Sequence, residues 1–218
     1  LNNYKKIIED TLFGGYVYSL FKTTNDPIQA APAKFIDSLI SSGLSIINFF
    51  GHSSQQQFEF DIADPSKYDN VGKYPLVIVN GCFNGQIFDC TYGNSEKFVL
   101  IPKRGAIAYL ANVESGITGP LNEYCSNLYK NISYKSYGQG IGKCVANTIQ
   151  DVYPNILNEY GAEQTALHGD PAVVINAHVL PDYYIGVERV SFNPSIPTAK
   201  DNSFDITLDI SNLGKAIS

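Results

Sequence analysis

The sequence predicts an α/β fold, in which helices cover a mainly parallel β-sheet, followed by the start of a β-sandwich. In the first part, short apolar and β-branched runs alternate with segments whose apolar residues recur at helical spacing. Beyond Pro181 the pattern changes to the apolar/polar alternation typical of strands with one buried face. We therefore divide the chain into residues 1–180 and residues 181–218.

Two short strands, each predicted to be buried on both faces, organise the first part. Residues 44–50 (Leu-Ser-Ile-Ile-Asn-Phe-Phe) and residues 75–80 (Pro-Leu-Val-Ile-Val-Asn) are mostly apolar, and each run ends at a glycine, Gly51 or Gly81. Residues 32–43 have apolar positions at helical spacing, with a proline at the start and a glycine at the end. They predict a short amphipathic helix before the first strand.

The alternation of helix and strand continues along the first part. Helices are predicted over residues 94–101, 120–131 and 140–157, and strands over residues 106–111 and 172–176. Parallel strands need a crossover connection, which is usually a helix. We therefore expect these strands to form one sheet, with the last of them closing it.

The last part predicts β structure. Residues 185–191 and 203–211 alternate between apolar and polar, and the loop between them is rich in proline and asparagine. Because the chain stops within the second pattern and opens without a methionine, we expect an internal fragment of a longer protein.

Composition and charge exclude several classes of function. The 218 residues include 15 Lys and Arg against 21 Asp and Glu, giving a net charge of -6, and the basic residues are scattered. We therefore expect no nucleic-acid partner. The apolar runs fall far short of the roughly 20 residues that a membrane-spanning helix needs, so we expect no membrane span. The four cysteines show neither paired zinc-site spacing nor the density of a disulfide scaffold.

A histidine and a cysteine follow the two buried strands of the first part. His52 comes directly after Gly51, and Cys82 directly after Gly81. The carboxyl ends of parallel strands meet at one edge of a sheet, so these side chains are expected to converge. An imidazole beside a thiol takes its proton and holds the thiolate, lowering the thiol pKa from about 8.5. We therefore predict that His52 and Cys82 form a catalytic imidazole–thiol pair.

Small residues around this pair leave room for a substrate carbonyl group to reach backbone N–H groups. The backbone N–H groups of Ser53 and Cys82 are the predicted donors of an oxyanion hole. Gly51 and Gly81 carry no Cβ that would obstruct a substrate, and we assign them to the substrate pocket.

The two loops also resemble those of a known family. Residues 47–54 (Ile-Asn-Phe-Phe-Gly-His-Ser-Ser) and 77–85 (Val-Ile-Val-Asn-Gly-Cys-Phe-Asn-Gly) are similar to the histidine and cysteine loops of the gingipain-like cysteine peptidases, relatives of caspases. Residues 93–98, 103–109 and 166–174 resemble a later helix, a strand and the Gly-Asp-Pro turn of that family, in the same order.

The resemblance has implications for organisation and activity. It implies that residues 1–180 form a gingipain-like peptidase domain lacking its N-terminal part, and that residues 181–218 begin an immunoglobulin-like domain. It implies a cysteine endopeptidase that cleaves proteins or peptides through an acyl-enzyme, secreted or held at a bacterial cell surface.

The chain departs from the family pattern near the histidine. Members usually have Gly-His-Gly-Ser, where this chain has Ser53 after the histidine, and many have a nearby tryptophan, for which we expect Phe58 to substitute as an aromatic wall of the substrate pocket. The acidic residue that orients the histidine lies upstream in the family, so we expect it outside this chain. Glu59 and Asp61 are predicted surface carboxylates.

Alternative functions stay open on the sequence alone. One is a catalytically silent binding or adhesion module on the same fold, and another is a transpeptidase-like processing enzyme that shares the nucleophile. We expect no cofactor and no catalytic metal, while Asp61, Asp64 and Asp69 are candidates for a structural calcium site. Cys90 is a candidate resolving thiol or disulfide partner of Cys82. His168, Asp170 and His178 are assigned structural roles, with His178 expected to be exposed.

Overall fold

A computed structural model describes residues 2–29, 33–89, 92–175, 178–212 and 214–215. The helices are α1 (Asn2–Glu9), α2 (Ala33–Ser42), α3 (Asn94–Leu100), α4 (Thr118–Lys130), α5 (Ile141–Val152) and α6 (Ile156–Glu163). The strands are β1 (Ile46–Phe50), β2 (Leu76–Asn80), β3 (Ala108–Asn112), β4 (Thr165–Gly169), β5 (Tyr183–Tyr184), β6 (Val190–Asn193), β7 (Asp205–Leu208) and β8 (Ser211–Asn212).

Strands β1 to β4 form one sheet in that order. The pairs β1–β2 and β2–β3 are parallel, and β4 joins β3 in antiparallel orientation. Helix α3 connects β2 to β3, whereas the connection from β1 to β2 contains only one 3-10 turn, Pro65–Lys67. The predicted fold class, a mainly parallel sheet covered by helices, is confirmed.

The sheet separates two apolar cores. Leu76 and Ile78 of β2 pack in one core with residues of α1, α4 and α5, while Val77 and Val79 pack in the other with residues of α2 and α3. Every residue of β2 and β3 is buried. Fully burying a Val, Leu or Ile side chain stabilises the folded state by roughly 1.5–3 kcal/mol. Because both faces are buried, these strands are mostly apolar rather than alternating between apolar and polar residues.

The strand predicted over residues 172–176 is wrong. The fourth strand of the sheet is β4, which precedes this run and lies antiparallel to β3. The Val173 carbonyl accepts a hydrogen bond from the N–H of Ile141 at 2.8 Å, at the start of α5. In the described part of the run the β pairing is an isolated bridge at Val174, and Asn176 lies outside the described residues. The run therefore caps a helix whose first N–H groups have no partner within the helix.

The helix predicted over residues 140–157 is two helices. Helix α5 ends at Val152, and Pro154 follows, which lacks an N–H and disfavours helical backbone in the residue before it. Asn155 then caps α6, its side-chain oxygen accepting the N–H groups of Leu157 and Asn158 at 3.1 and 3.3 Å. The sequence reasoning missed α6.

The C-terminal strands form two antiparallel pairs, β5 with β8 and β6 with β7. These small sheets agree with the predicted start of a β-sandwich. All four residues of β7 are exposed, so no other described layer covers its apolar face. The Arg189 guanidinium lies 5.5 Å from the ring centroid of Tyr16, which brings this part against the α/β part. The boundary at residue 180 stays a prediction.

His168 lies within β4, opposite Tyr109 of β3. Its Nε2 atom is buried and has no hydrogen-bond partner in the described part of the chain. Burial lowers the pKa of His168 below its ordinary value, because the charged imidazolium loses water there. The assignment of His168 as a packing residue fits this position.

We expect His168 to make the fold sensitive to mild acid. The unfolded chain binds the proton more tightly, so the free energy of unfolding should fall as the pH drops below about 6.5 towards the lowered pKa of the folded state. The His168→Gln variant should lose less stability than the wild type between about pH 7.5 and about pH 5.5, measured by urea unfolding. The exposed His178 provides the control, His178→Gln, which should behave as the wild type. Equal losses in the wild type and His168→Gln would show that His168 does not contribute.

Candidate active site

The loops after β1 and β2 leave the sheet side by side. Phe50 and Asn80 are the last paired residues of the two strands, and the N–H of Gly51 extends the pairing by donating to the Asn80 carbonyl at 3.2 Å. His52 and Cys82 each lie two residues beyond this last pair. The structure therefore places both residues at the same edge of the sheet.

The histidine loop is a short hairpin anchored on the core. The Ser54 N–H donates to the Gln57 carbonyl at 3.0 Å, and the Phe58 ring packs 4.9 Å from that of Phe49 in a T-shaped contact. Phe58 is only 4% exposed and belongs to one of the two cores. Its role as a pocket wall stays a prediction, and its packing shows that it holds the hairpin. The His52 side chain itself is exposed.

Ser53 fastens the histidine loop to the cysteine loop. Its hydroxyl donates to the Cys82 carbonyl at 2.9 Å. At Gly81, a Cβ would lie 2.2 Å from the Ser53 Oγ and 2.8 Å from the Gly51 carbonyl oxygen. Only glycine fits at position 81 while this hydroxyl is in place. The serine that departs from the family pattern thus has a structural partner.

The Cys82 thiol is half-buried and faces a third loop. The N–H of Gly116, in the loop after β3, donates to the Cys82 Sγ at 3.4 Å. The thiol in turn lies 4.0 Å from the Gly116 carbonyl oxygen, to which it can donate. Sequence reasoning missed Gly116, although a glycine just beyond a third parallel strand was a signal that it shares this edge.

The backbone turns sharply after Cys82. Phe83 has a φ of 56°, in the left-handed region that a bulky side chain rarely adopts. Its N–H donates to the Glu114 carbonyl at 2.9 Å, and the N–H of Gly85 donates to the Asn112 carbonyl at 2.8 Å. These bonds to the end of β3 and its loop hold a conformation that costs of order 1–2 kcal/mol.

A buried amide connects the two loops to the sheet. The Asn84 side chain, fully buried, donates to the Ser54 carbonyl at 2.6 Å and accepts a hydrogen bond from the Tyr109 hydroxyl. A satisfied polar network in the protein interior restricts the groups that it joins. The histidine and cysteine loops are therefore tied together on two sides, by Ser53 and by Asn84.

The other described cysteines differ from Cys82. Burial raises the pKa of Cys125 to about 12 and that of Cys144 to about 11, so both stay protonated at neutral pH. Cys90, the candidate resolving thiol, lies outside the described residues. Of the cysteines that the structure describes, Cys82 is the one that is not fully buried.

Two of the three candidate calcium ligands, Asp61 and Asp64, have other partners. Asp61 pairs with Lys67 at 3.4 Å, and the Asp64 carboxylate accepts the N–H of Ser66 at 3.0 Å. Among the described residues, no group of three or more His, Cys, Asp or Glu side chains is arranged to hold a metal ion. A structural calcium ion stays a prediction. The Asp170 carboxylate accepts the N–H of Ala172 at 2.8 Å, which confirms its predicted role in its own turn.

The family model of peptidase family C25 matches residues 2–176, which is most of the chain. The chain belongs to peptidase family C25. This is a family of cysteine peptidases, and the resemblance to gingipains is confirmed. No curated protein sequence matches the chain.

Solved structures show the same fold for this C25 chain. The crystal structure of the Arg-specific cysteine proteinase gingipain R is 15% identical with a TM-score of 0.58, covering 72% of this chain and 39% of that one. A structure described as a protease is 14% identical with a TM-score of 0.60, covering 86% and 52%. The complex of the pro- and mature domains of Porphyromonas gingivalis RgpB is 15% identical with a TM-score of 0.58, covering 72% and 40%.

The C25 chain spans about two fifths to one half of the length of these structures. No helix in the described part of the chain is long and apolar enough to cross a membrane. A groove of about 810 Å³ runs along β1, and neither His52 nor Cys82 lines it. The candidate site thus lies at the carboxyl edge of the sheet, outside this groove.

Proposed function

We propose that this C25 chain carries the catalytic dyad of a cysteine endopeptidase, with Cys82 as nucleophile and His52 as general base and acid. The observation that carries the proposal is the fastening of the two loops at one sheet edge, through the Ser53 hydroxyl and the Cys82 carbonyl. The substrates are proteins or peptides, and the protein acts outside the cell or at its surface, as the family relationship favours.

Acylation begins with transfer of the Cys82 thiol proton to the His52 imidazole. The thiolate attacks the carbonyl carbon of the scissile peptide bond, and a C–S bond forms as the carbonyl oxygen becomes an oxyanion. The oxyanion then collapses, the C–N bond breaks, and His52 returns its proton to the leaving amine. The product is a thioester on Cys82 and a free amine.

Two backbone N–H groups without an acceptor among the described residues support the assignment of the oxyanion hole. In the described part of the chain, the N–H groups of Ser53 and Cys82 donate no hydrogen bond within the protein. Preorganised donors of this kind stabilise the charge that develops on the carbonyl oxygen. The N–H of Gly116 contacts the Cys82 sulfur and helps to position it for attack.

Hydrolysis of the thioester completes the cycle. His52 takes a proton from water, the hydroxide attacks the thioester carbonyl, and the C–S bond breaks to release a carboxylic acid and the Cys82 thiolate, which His52 reprotonates. An amine in place of water would give transpeptidation by the same steps.

In the described structure the imidazole of His52 makes no hydrogen bond to the Cys82 thiol. We infer that this hydrogen bond forms when substrate is bound.

A thiol-directed peptidyl acyloxymethyl ketone tests this proposal. The full-length protein should be labelled at Cys82, and the Cys82→Ala variant should lose at least about 99% of the labelling, because the remaining described thiols are buried and protonated. Peptide mass mapping locates the label, and Cys144→Ala serves as the matched control that keeps it. An unlabelled wild type, or labelling that persists in Cys82→Ala, would favour the catalytically silent module.

A further inference from the structure

Glu59 contacts the backbone of the candidate general base. Its Oε2 atom accepts the N–H of His52 at 3.2 Å, and its Oε1 atom lies 3.2 Å from the Lys22 ammonium. The Glu59 side chain is only 21% exposed. Glu59 is therefore a partly buried carboxylate, whereas Asp61, at 48% exposure, fits the expectation of a surface carboxylate.

The backbone around Glu59 is held in place by the hairpin before it and by a hydrogen bond to Gln29. The hairpin of residues 53–58 reverses the chain, and the buried Phe58 fixes its end next to Phe49. The Glu59 carbonyl accepts the N–H of Gln29 at 2.7 Å, which holds the backbone from the other side. Glu59 therefore has little freedom in either its backbone or its carboxylate.

Gly51 makes room for the carboxylate. A Cβ at position 51 would lie 2.7 Å from the Glu59 Oε2 atom, so any other residue would push the carboxylate away from His52. Gly51, which we assigned to the substrate pocket, thus also permits the contact between the Glu59 carboxylate and the His52 N–H.

We propose that Glu59 is a positioning residue of His52, acting through the backbone N–H rather than through the imidazole ring. This inference rests on the proposed function. A hydrogen bond to a carboxylate is stronger than one to a neutral acceptor, and Lys22 holds that carboxylate in place. Holding the His52 backbone in place fixes the position of its Cα and Cβ atoms. The exposed imidazole therefore samples fewer positions away from Cys82.

The test compares Glu59 variants in the full-length protein with the peptidyl acyloxymethyl ketone. We expect Glu59→Ala to lower the maximal labelling rate by about 10- to 100-fold, because a misplacement of about 1 Å has costs of this size. The concentration for half-maximal rate should change by less than about twofold, since binding of the probe is untouched. Glu59→Gln keeps an oxygen acceptor for the His52 N–H and should recover most of the rate.

Asp61→Asn provides the matched control. Asp61 lies two residues away, forms its own ion pair with Lys67 at 3.4 Å, and should label as the wild type does. Equal rates for Glu59→Ala and the wild type would overturn the inference, as would a loss confined to probe binding. If Glu59→Ala does not fold, Glu59→Asp decides by the same two criteria, because its carboxylate is one methylene too short to reach. An unlabelled wild type would instead refute the proposed function.

Discussion

Replacing His52 with alanine is expected to lower the rate at which Cys82 is labelled by the peptidyl acyloxymethyl ketone by about 10²- to 10⁴-fold. Without the imidazole, only a few per cent of an ordinary thiol is ionised near neutral pH, and nothing positioned takes the proton. Because His52 is exposed and its backbone N–H is retained in alanine, the melting temperature should stay close to that of the wild type. Labelling rates and thermal melts measure the two effects separately.

His178→Ala is the control for this variant. His178 is also exposed, but it lies in the segment after β4, where the Tyr137 hydroxyl donates to its carbonyl oxygen at 3.1 Å. Alanine keeps that carbonyl, so labelling should be unchanged. A His52→Ala protein that labels as fast as His178→Ala would remove His52 from the mechanism and leave Cys82 as a reactive thiol without a base.

Replacing Gly81 with alanine is expected to reduce labelling by at least about 100-fold and to destabilise the fold by about 1–3 kcal/mol. The new Cβ would lie 2.2 Å from the Ser53 Oγ and 2.8 Å from the Gly51 carbonyl oxygen, so the two loops would have to separate. Urea unfolding and the labelling rate measure the two losses. Both should appear together, because the same contact serves the fold and the site.

Gly119→Ala is the matched control for the glycine substitution. A Cβ on Gly119, within α4, would meet no atom within 4 Å apart from its chain neighbours and the backbone of its own helix. Labelling should be unchanged, because Gly119 lies outside the histidine and cysteine loops, even though an alanine before Pro120 disfavours helical backbone. The double variant Ser53→Gly with Gly81→Ala removes the closer of the two clashes and should recover part of the stability. A Gly81→Ala protein that keeps full activity would show that the loops are not fastened as described.

Much of the fold could be predicted from local sequence. Strands β1, β2 and β3 were predicted to within about two residues. Burial on both faces requires β2 and β3 to be mostly apolar along their length. The prediction that β1 is buried on both faces is wrong, because β1 lies at the edge of the sheet and only its Phe49 is buried. The closing strand, β4, could not be predicted in this way, since its sequence (Thr-Ala-Leu-His-Gly) is less apolar than the run at residues 172–176. Its place in the sheet depends on antiparallel pairing with β3, between residues more than fifty positions apart in the sequence.

The sequence by itself determined the strand ends and the two residues that follow them, His52 and Cys82, because an apolar run that breaks at a glycine is a local pattern. The tertiary structure decided what surrounds them. The hydrogen bond from the Gly116 N–H to the Cys82 thiol joins residues 34 positions apart. The hydrogen bond from the Asn84 amide to the histidine loop joins residues 30 positions apart. The Glu59 carboxylate is near in sequence, yet only the packed hairpin turns it towards the His52 N–H. These contacts depend on how strands and loops meet in space, and no local pattern of residue types carries that information.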